Sequence, residues 1–175
     1  MAKLAFENVS YRYVGHGGLA LDGVTVELPS NKKIALIGRN GSGKSTFFLH
    51  CNGVLKPESG QVLLDGAAVD YGRAGLKKLR QAVGIVFQQA DDQLFSASIE
   101  QDISFGPLNL GLSEDEARER VAEVMVSCDI SHLEGRPIHA LSGGEKARVA
   151  LAGVLAMRPE IILVDEPTAN PSNKT

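Results

Sequence analysis

The 175-residue sequence has little cysteine. Cys51 and Cys128 stand alone, at no spacing that frames a metal or a disulfide. Both read as buried or partly buried thiols of a reducing compartment, with the cytoplasm as default. No uninterrupted apolar run approaches the roughly 18 residues of a membrane-spanning helix, and residues 1–7 carry no hydrophobic signal segment. Positive charge is not in surplus either: 18 Lys and Arg against 21 Asp and Glu leave a net −3, which argues against a nucleic-acid partner. His16, His50, His132 and His139 show no metal-ligand spacing. Internal repeats and low-complexity segments are missing too. What is present, 43% hydrophobic and 22% charged residues, is the composition of an ordinary folded domain, long enough for one core and a subdomain.

Against that background one stretch stands out, Gly38-Arg39-Asn40-Gly41-Ser42-Gly43-Lys44-Ser45-Thr46. It fits the pattern G-x-x-x-x-G-K-[ST] of a phosphate-binding loop between a strand and a helix. The glycines let successive backbone N–H groups turn toward one anion, and the helix start adds its positive dipole end. Lys44 supplies a point charge for the β- and γ-phosphates and the Ser45 hydroxyl a magnesium ligand. A plain glycine-rich turn is the alternative. The short apolar run at 33–37 before the motif and the helical pattern from Lys44 after it are where the mechanism needs a strand and a helix.

The rest of the chain predicts an α/β fold. Leu4, Phe6, Val9, Tyr11 and Tyr13 alternate as in a strand with one slip near Asn8. Further strands are expected at 24–28, 61–64 and 83–87, with a brief helix at 76–80. From 89 to about 157 the pattern is helical. A short helix is expected at 98–105, ended by Gly106-Pro107. Ser113 with Glu116 forms a capping box for a helix reaching Cys128, and a second long helix runs from Ser142 to Met157. Residues 161–164 are a fully apolar strand closed by Asp165-Glu166. The expected division is an α/β core of residues 1–88 and 158–175 around a helical insert at 89–157.

Two further constellations carry chemistry. Carboxylates at the end of a buried strand sit where α/β sheets place ligands. There Asp165 can hold magnesium through water, and Glu166 can orient a water for attack on the γ-phosphorus; an acidic turn is the plain alternative. In Leu141-Ser142-Gly143-Gly144-Glu145, Ser142 and Glu145 are another capping box, which by itself explains a helix start. Two glycines in the first turn weaken a helix, however, and their benefit would be close approach of backbone to an anion.

Together, in this order and approximate spacing, these motifs resemble those of the ABC-type ATPases, the nucleotide-binding subunits of ABC transporters. The resemblance runs from about Leu4 to Thr168. It implies a P-loop NTPase core with an N-terminal antiparallel β portion and a helical subdomain. It also implies ATP and Mg²⁺ as ligands. By the same resemblance Tyr13 stacks on adenine, although a half-buried strand tyrosine would look the same. Gln88 contacts magnesium and the attacking water and couples to a membrane subunit. Ser142, Gly143, Gly144 and Glu145 form the signature motif that binds the γ-phosphate held by a second, head-to-tail ATPase subunit. The catalytic set is then Glu166, Lys44 and Gln88, the metal set Ser45, Gln88 and Asp165. Phe87-Gln88-Gln89-Ala90-Asp91-Asp92-Gln93-Leu94-Phe95 is similar to a segment of the energy-coupling-factor ATPases of cobalt, nickel and vitamin importers, with Ala90 in place of a proline. That narrower resemblance implies membrane-embedded partner subunits and a peripheral place on the cytoplasmic face of the membrane.

The resemblance stops at Ala169. The family continues with a D-loop and a strand bearing a switch histidine; here Asn170-Pro171-Ser172-Asn173-Lys174-Thr175 follows. The chain therefore reads as C-terminally truncated, without a strand that would lie centrally between 33–37 and 161–164, and open apolar faces are expected there. Two rivals follow. One is a nucleotide-binding remnant without hydrolysis. The other is a soluble ABC ATPase outside transport, which would usually carry coiled-coil, zinc-cysteine or basic additions not found in this sequence.

Overall fold

The computed structural model describes residues 3–15 and 17–165. These divide into two compact units, residues 1–83 and 84–175 by their boundaries, and each is described by itself.

The first unit is built on an antiparallel sheet of order β2-β1-β3-β4, formed by β1 (Leu4–Tyr11), β2 (Leu21–Leu28), β3 (Ser59–Leu64) and β4 (Ala67–Ala68). Central β1 pairs Leu4 with Leu28 on one side and Leu64 on the other, and Phe6 with Val26 and Val62. The slip expected near Asn8 is a bulge. The register shifts between Phe6 and Val9, and Asn8 takes φ +49°, a left-handed conformation that asparagine tolerates better than most residues. The extra residue restores the alternation, so that Leu4, Phe6 and Val9 are all buried. Helix α1 (Lys44–Cys51) packs Phe47 on Phe6, ring centroids 4.4 Å apart, and buries Cys51 beneath it. Helix α2 (Arg73–Ala82) contributes Leu79 to the same core.

In one place the apolar pattern misleads. Residues 33–37 were expected as a strand, but among the described residues they join neither sheet, and Ile34, Leu36 and Ile37 are 53%, 42% and 91% exposed. A strand exists only through its ladder partners, and this apolar run without them is left uncovered.

The second unit holds the two-stranded sheet β5 (Val83–Val86) and β6 (Ile161–Val164) and three helices, α3 (Ile99–Leu110), α4 (Glu114–Ser127) and α5 (Gly143–Ala156). Val83, the first residue of β5, belongs to the first unit by the same division. The helices enclose one apolar cluster that includes Ile99, Ile103, Val121, Met125, Leu133, Val149 and Ala152. The capping boxes expected at Ser113–Glu116 and Ser142–Glu145 are both formed. Helix α3, expected to end at Gly106-Pro107, runs on to Leu110. Pro107 removes one backbone donor there, but it falls at i+8 from Ile99 and i+4 from Ile103, on the buried face, and Gly111 at φ +99° ends the helix instead. Among the described residues no helix is long and apolar enough to cross a membrane.

Candidate functional site

The loop before α1 has the shape its glycines predict. Gly41 and Gly43 take φ +78° and +91°, and a Cβ on Gly43 would stand 2.5 Å from the Ala20 carbonyl oxygen, so a side chain is excluded by conformation and by space. A Cβ on Gly38 would meet the Ser42 hydroxyl at 2.6 Å. Gly43 is the N-cap of α1 and gives no side-chain cap, which leaves the helix start without the usual intramolecular acceptor. Lys44 folds its ammonium back across the loop, donating to the Gly38 carbonyl at 3.0 Å and the Arg39 carbonyl at 3.2 Å. The positive charge therefore sits over the loop that would receive an anion. This glycine cradle with its central ammonium fits a polyphosphate.

Two supports for the loop were not legible in the sequence. The Tyr13 and Thr46 hydroxyls lie 3.2 Å apart, joining the end of the β1 segment to the first turn of α1. One turn later His50, fully buried, bonds through Nδ1 to the Thr46 carbonyl at 2.8 Å. A carbonyl only accepts, so Nδ1 carries the proton and Nε2 its lone pair; Nε2 has no hydrogen-bond partner among the described residues. Burial holds the His50 pKa below its ordinary value, although the Thr46 bond opposes this. The buried helix face predicts such a histidine only as a satisfied core residue, and here it is half satisfied.

In the second unit β5 and β6 end together: the Asp165 amide donates to the Val86 carbonyl at 3.0 Å. Asp165 and the Phe87-Gln88 turn thus leave the same end of the small sheet, the carboxyl end of both strands, where ligands of α/β sheets gather. Glu166 lies outside the described residues. Ser142 opens α5, with its N–H and hydroxyl both donating to Glu145 Oε2 at 2.7 Å, and these bonds hold the Glu145 carboxyl below the usual carboxylate range. Arg136 adds a charged contact to Glu145 at 3.4 Å, and Arg148 faces Asp129 at 3.7 Å. Gly143 and Gly144 are exposed, have no positive φ, and a Cβ on either would meet nothing within 4 Å. Neither backbone conformation nor packing within the chain requires glycine at these positions.

Magnesium was assigned to Ser45, Gln88 and Asp165. Among the described residues no group of three or more His, Cys, Asp or Glu could cage a metal. A hydroxyl, an amide oxygen and a carboxylate are oxygen donors of the kind magnesium takes beside phosphate oxygens and water.

A glycine-cradled phosphate loop at a helix start, with a lysine ammonium folded over it, defines a nucleotide-binding P-loop protein. The ABC transporter family model matches residues 21–169, and the chain belongs to that family. It is 54% identical over 166 residues to the cobalt import ATP-binding protein CbiO of Rhodobacter capsulatus, covering 95% of this chain and 59% of that protein. It is 53% identical over 165 residues to the energy-coupling factor transporter ATP-binding protein EcfA of Methanothermobacter thermautotrophicus, covering 94% and 53%. The chain thus spans between half and three fifths of the length of these curated relatives. Its fold is that of the ABC ATPases. It superposes on CbiO1 of Clostridium perfringens, described as part of the CbiONQ transporter complex, with TM-score 0.81 and 48% identity, covering 95% of this chain and 66% of that one. The ATP-binding cassette MJ0796, described as a dimeric post-hydrolysis state bound to ADP and Pi, matches with TM-score 0.84 and 28% identity, covering 95% and 75%.

Proposed function

We propose that this chain is the ATP-binding part of an ATP-hydrolysing subunit that energises an importer of the energy-coupling-factor type, with cobalt or nickel as the favoured cargo. The observation that carries it is the loop at 38–46: two glycines held in left-handed conformations beside a lysine ammonium that donates to the loop's own Gly38 and Arg39 carbonyls. Identity of 50% or more to cobalt and energy-coupling-factor ATP-binding proteins supports the class of transporter.

In this reading Tyr13 stacks on the adenine. The amides from Gly38 through Asn40, Gly41, Ser42 and Gly43 and the hydroxyl of Thr46 surround the phosphates, and Lys44 neutralises charge on the transferred phosphoryl group. Ser45 and Asp165, with Gln88, would hold magnesium, which would supply positive charge to offset that of the phosphates. Gln88 and Glu166 position the attacking water, and Glu166 takes its proton. Ser142, Gly143, Gly144 and Glu145 present their helix start to the ATP of a second ATPase subunit arranged head to tail. That nothing among the described residues requires Gly143 and Gly144 supports that assignment. The core of 1–88 with 158–175 binds nucleotide, the insert 89–157 faces membrane-embedded subunits, and the subunit sits peripherally on the cytoplasmic face of the membrane.

A nucleotide-binding piece without turnover is the second reading, favoured by the uncovered run Ile34, Leu36 and Ile37 beside the loop. Titration of the purified chain with a fluorescent ATP analogue, followed by phosphate release with MgATP, separates the two. Binding lost in Lys44→Ala with turnover lost in Glu166→Gln supports the enzyme. Binding without release supports the second reading, and no binding overturns both.

A further inference from the structure

Two side chains that the proposed chemistry leaves unused tie the turn at Gln88 to the helix that begins at Ser142. The Gln93 amide is bonded at both ends: Oε1 accepts from the Phe87 N–H at 3.1 Å, and Nε2 donates to the Ala150 carbonyl at 3.1 Å. Phe87 is the residue before Gln88, and Ala150 is buried midway along α5. One helical turn nearer the start of α5, Lys146 Nζ meets Asp91 Oδ1 at 2.5 Å, with the lysine side chain only 18% exposed. Asp91 belongs to the 3₁₀ turn Ala90–Asp92, and the Lys146 N–H donates in turn to the Ser142 carbonyl at 2.9 Å. Lys146 and Ala150 are four apart, on one face of α5. The short turn therefore lies along that face, held at both ends, and its downstream edge is fixed by Asp102, whose Oδ2 accepts from the Phe95 and Ser96 amides at 2.9 and 2.8 Å.

We propose that Gln93 is a positioning residue which, with the Asp91–Lys146 pair, makes the Gln88 turn and the Ser142 end of α5 move as one body. The proposal rests on the reading above that Gln88 and Ser142 serve bound nucleotide. Its consequence is that a ligand engaging either segment biases the position of the other. Glutamine is the side chain that suits the place, because it offers one acceptor and one donor about 2 Å apart on a rigid plane. A carboxylate there keeps the bond from Phe87 but turns an acceptor toward the Ala150 carbonyl; leucine keeps neither bond.

The test compares the purified wild-type chain with Gln93→Glu, Gln93→Leu, Asp91→Lys, Lys146→Asp and the double charge reversal, by backbone hydrogen exchange and by MgATP turnover. Gln93→Glu is expected to speed exchange in residues 87–89 and 142–147 together, with the amides around Ile103 and Val124 unchanged. It is expected to lower kcat about tenfold while KM for ATP stays within about twofold. The double reversal should restore part of what each single reversal loses. Loosening confined to 87–89, a wild-type kcat in Gln93→Glu, or a parallel fall of kcat, KM and melting temperature would each overturn the proposal. If the wild-type chain shows no turnover, the proposed function fails, and the exchange measurement still decides whether the two segments are joined. Should Gln93→Leu not fold, the Glu variant and the charge reversals carry the test.

Discussion

The Tyr13 hydroxyl reaches the Thr46 hydroxyl at 3.2 Å, so the tyrosine assigned to the base of the nucleotide is also a strut of the phosphate loop's helix. The two roles separate by substitution. Tyr13→Phe keeps the ring and removes the hydroxyl strut, and should leave ATP affinity within about twofold while costing roughly 1 kcal/mol of stability. Tyr13→Ala should weaken nucleotide binding about tenfold or more, since ring stacking is worth about 1–3 kcal/mol. Fluorescence titration beside thermal melts reads both; a Phe variant that binds as poorly as Ala would refute stacking.

Gly43 has no freedom to change. Its φ of +91° and the Ala20 carbonyl 2.5 Å from any Cβ place strain and collision at one atom. Gly43→Ala should lose about 1–3 kcal/mol by urea denaturation, whereas the exposed Gly144→Ala, where a Cβ meets nothing and alanine suits the helix better, should lose nothing and gain up to about 1 kcal/mol. Equal losses at the two positions would contradict the distinction between a glycine the fold needs and one it does not.

That distinction bears on how much the sequence discloses. The loop, both capping boxes and the slip at Asn8 were legible because each is local: a handful of adjacent residues fixes a turn, a cap or a bulge. The outcome at 33–37 was not: the run reads as a strand but joins neither sheet, because strand character depends on ladder partners that a local pattern cannot supply. Gly106-Pro107 misled for a related reason, since the burial of Pro107 beside Ile103 outweighs a single lost hydrogen bond. The Gln93 and Lys146 contacts span 57 and 55 residues along the chain. Only the turn at Ala90–Asp92 brings them to α5, and no spacing rule reaches that far.

Ser142 has a role within the chain whatever it does for a ligand. As N-cap it accepts from the Glu145 N–H while the Glu145 carboxylate accepts from the Ser142 N–H. Ser142→Ala should lower stability by about 0.5–2 kcal/mol, and Ser142→Asn, which caps as well, should restore it. If ATP turnover returns with Asn, the hydroxyl served only the cap. If stability returns without turnover, the hydroxyl serves the ligand. Both are read from melts and phosphate release on the same samples.

The core of the second unit should respond as a cavity would. Ile103 is fully buried within the α3–α4–α5 cluster. Ile103→Ala is expected to cost about 2–5 kcal/mol, and Ile103→Val about 0.5–1.5 kcal/mol. A loss under about 0.5 kcal/mol for the alanine variant, measured by denaturant midpoint, would show that the helices do not enclose this side chain.

His50 makes stability depend on pH in a window of its own. Burial lowers its pKa in the folded chain, more than the Thr46 carbonyl raises it, so between that lowered value and the ordinary 6.5 the unfolded chain binds the proton and the folded chain does not. Stability tied to His50 is therefore full above about pH 6.5 and is lost progressively as the pH falls below it. The capping carboxylates Glu116 and Glu145, also held below their ordinary value of 4.5, act in the same direction but only at more acid pH. Denaturation of the wild-type chain at steps from pH 7.5 to about pH 5 should show a falling midpoint, and His50→Gln, which cannot charge, should flatten that slope. Should the slope persist in the glutamine variant, the imidazole takes up its proton without disturbing α1, and the bond to Thr46 is not what anchors the helix beneath the phosphate loop.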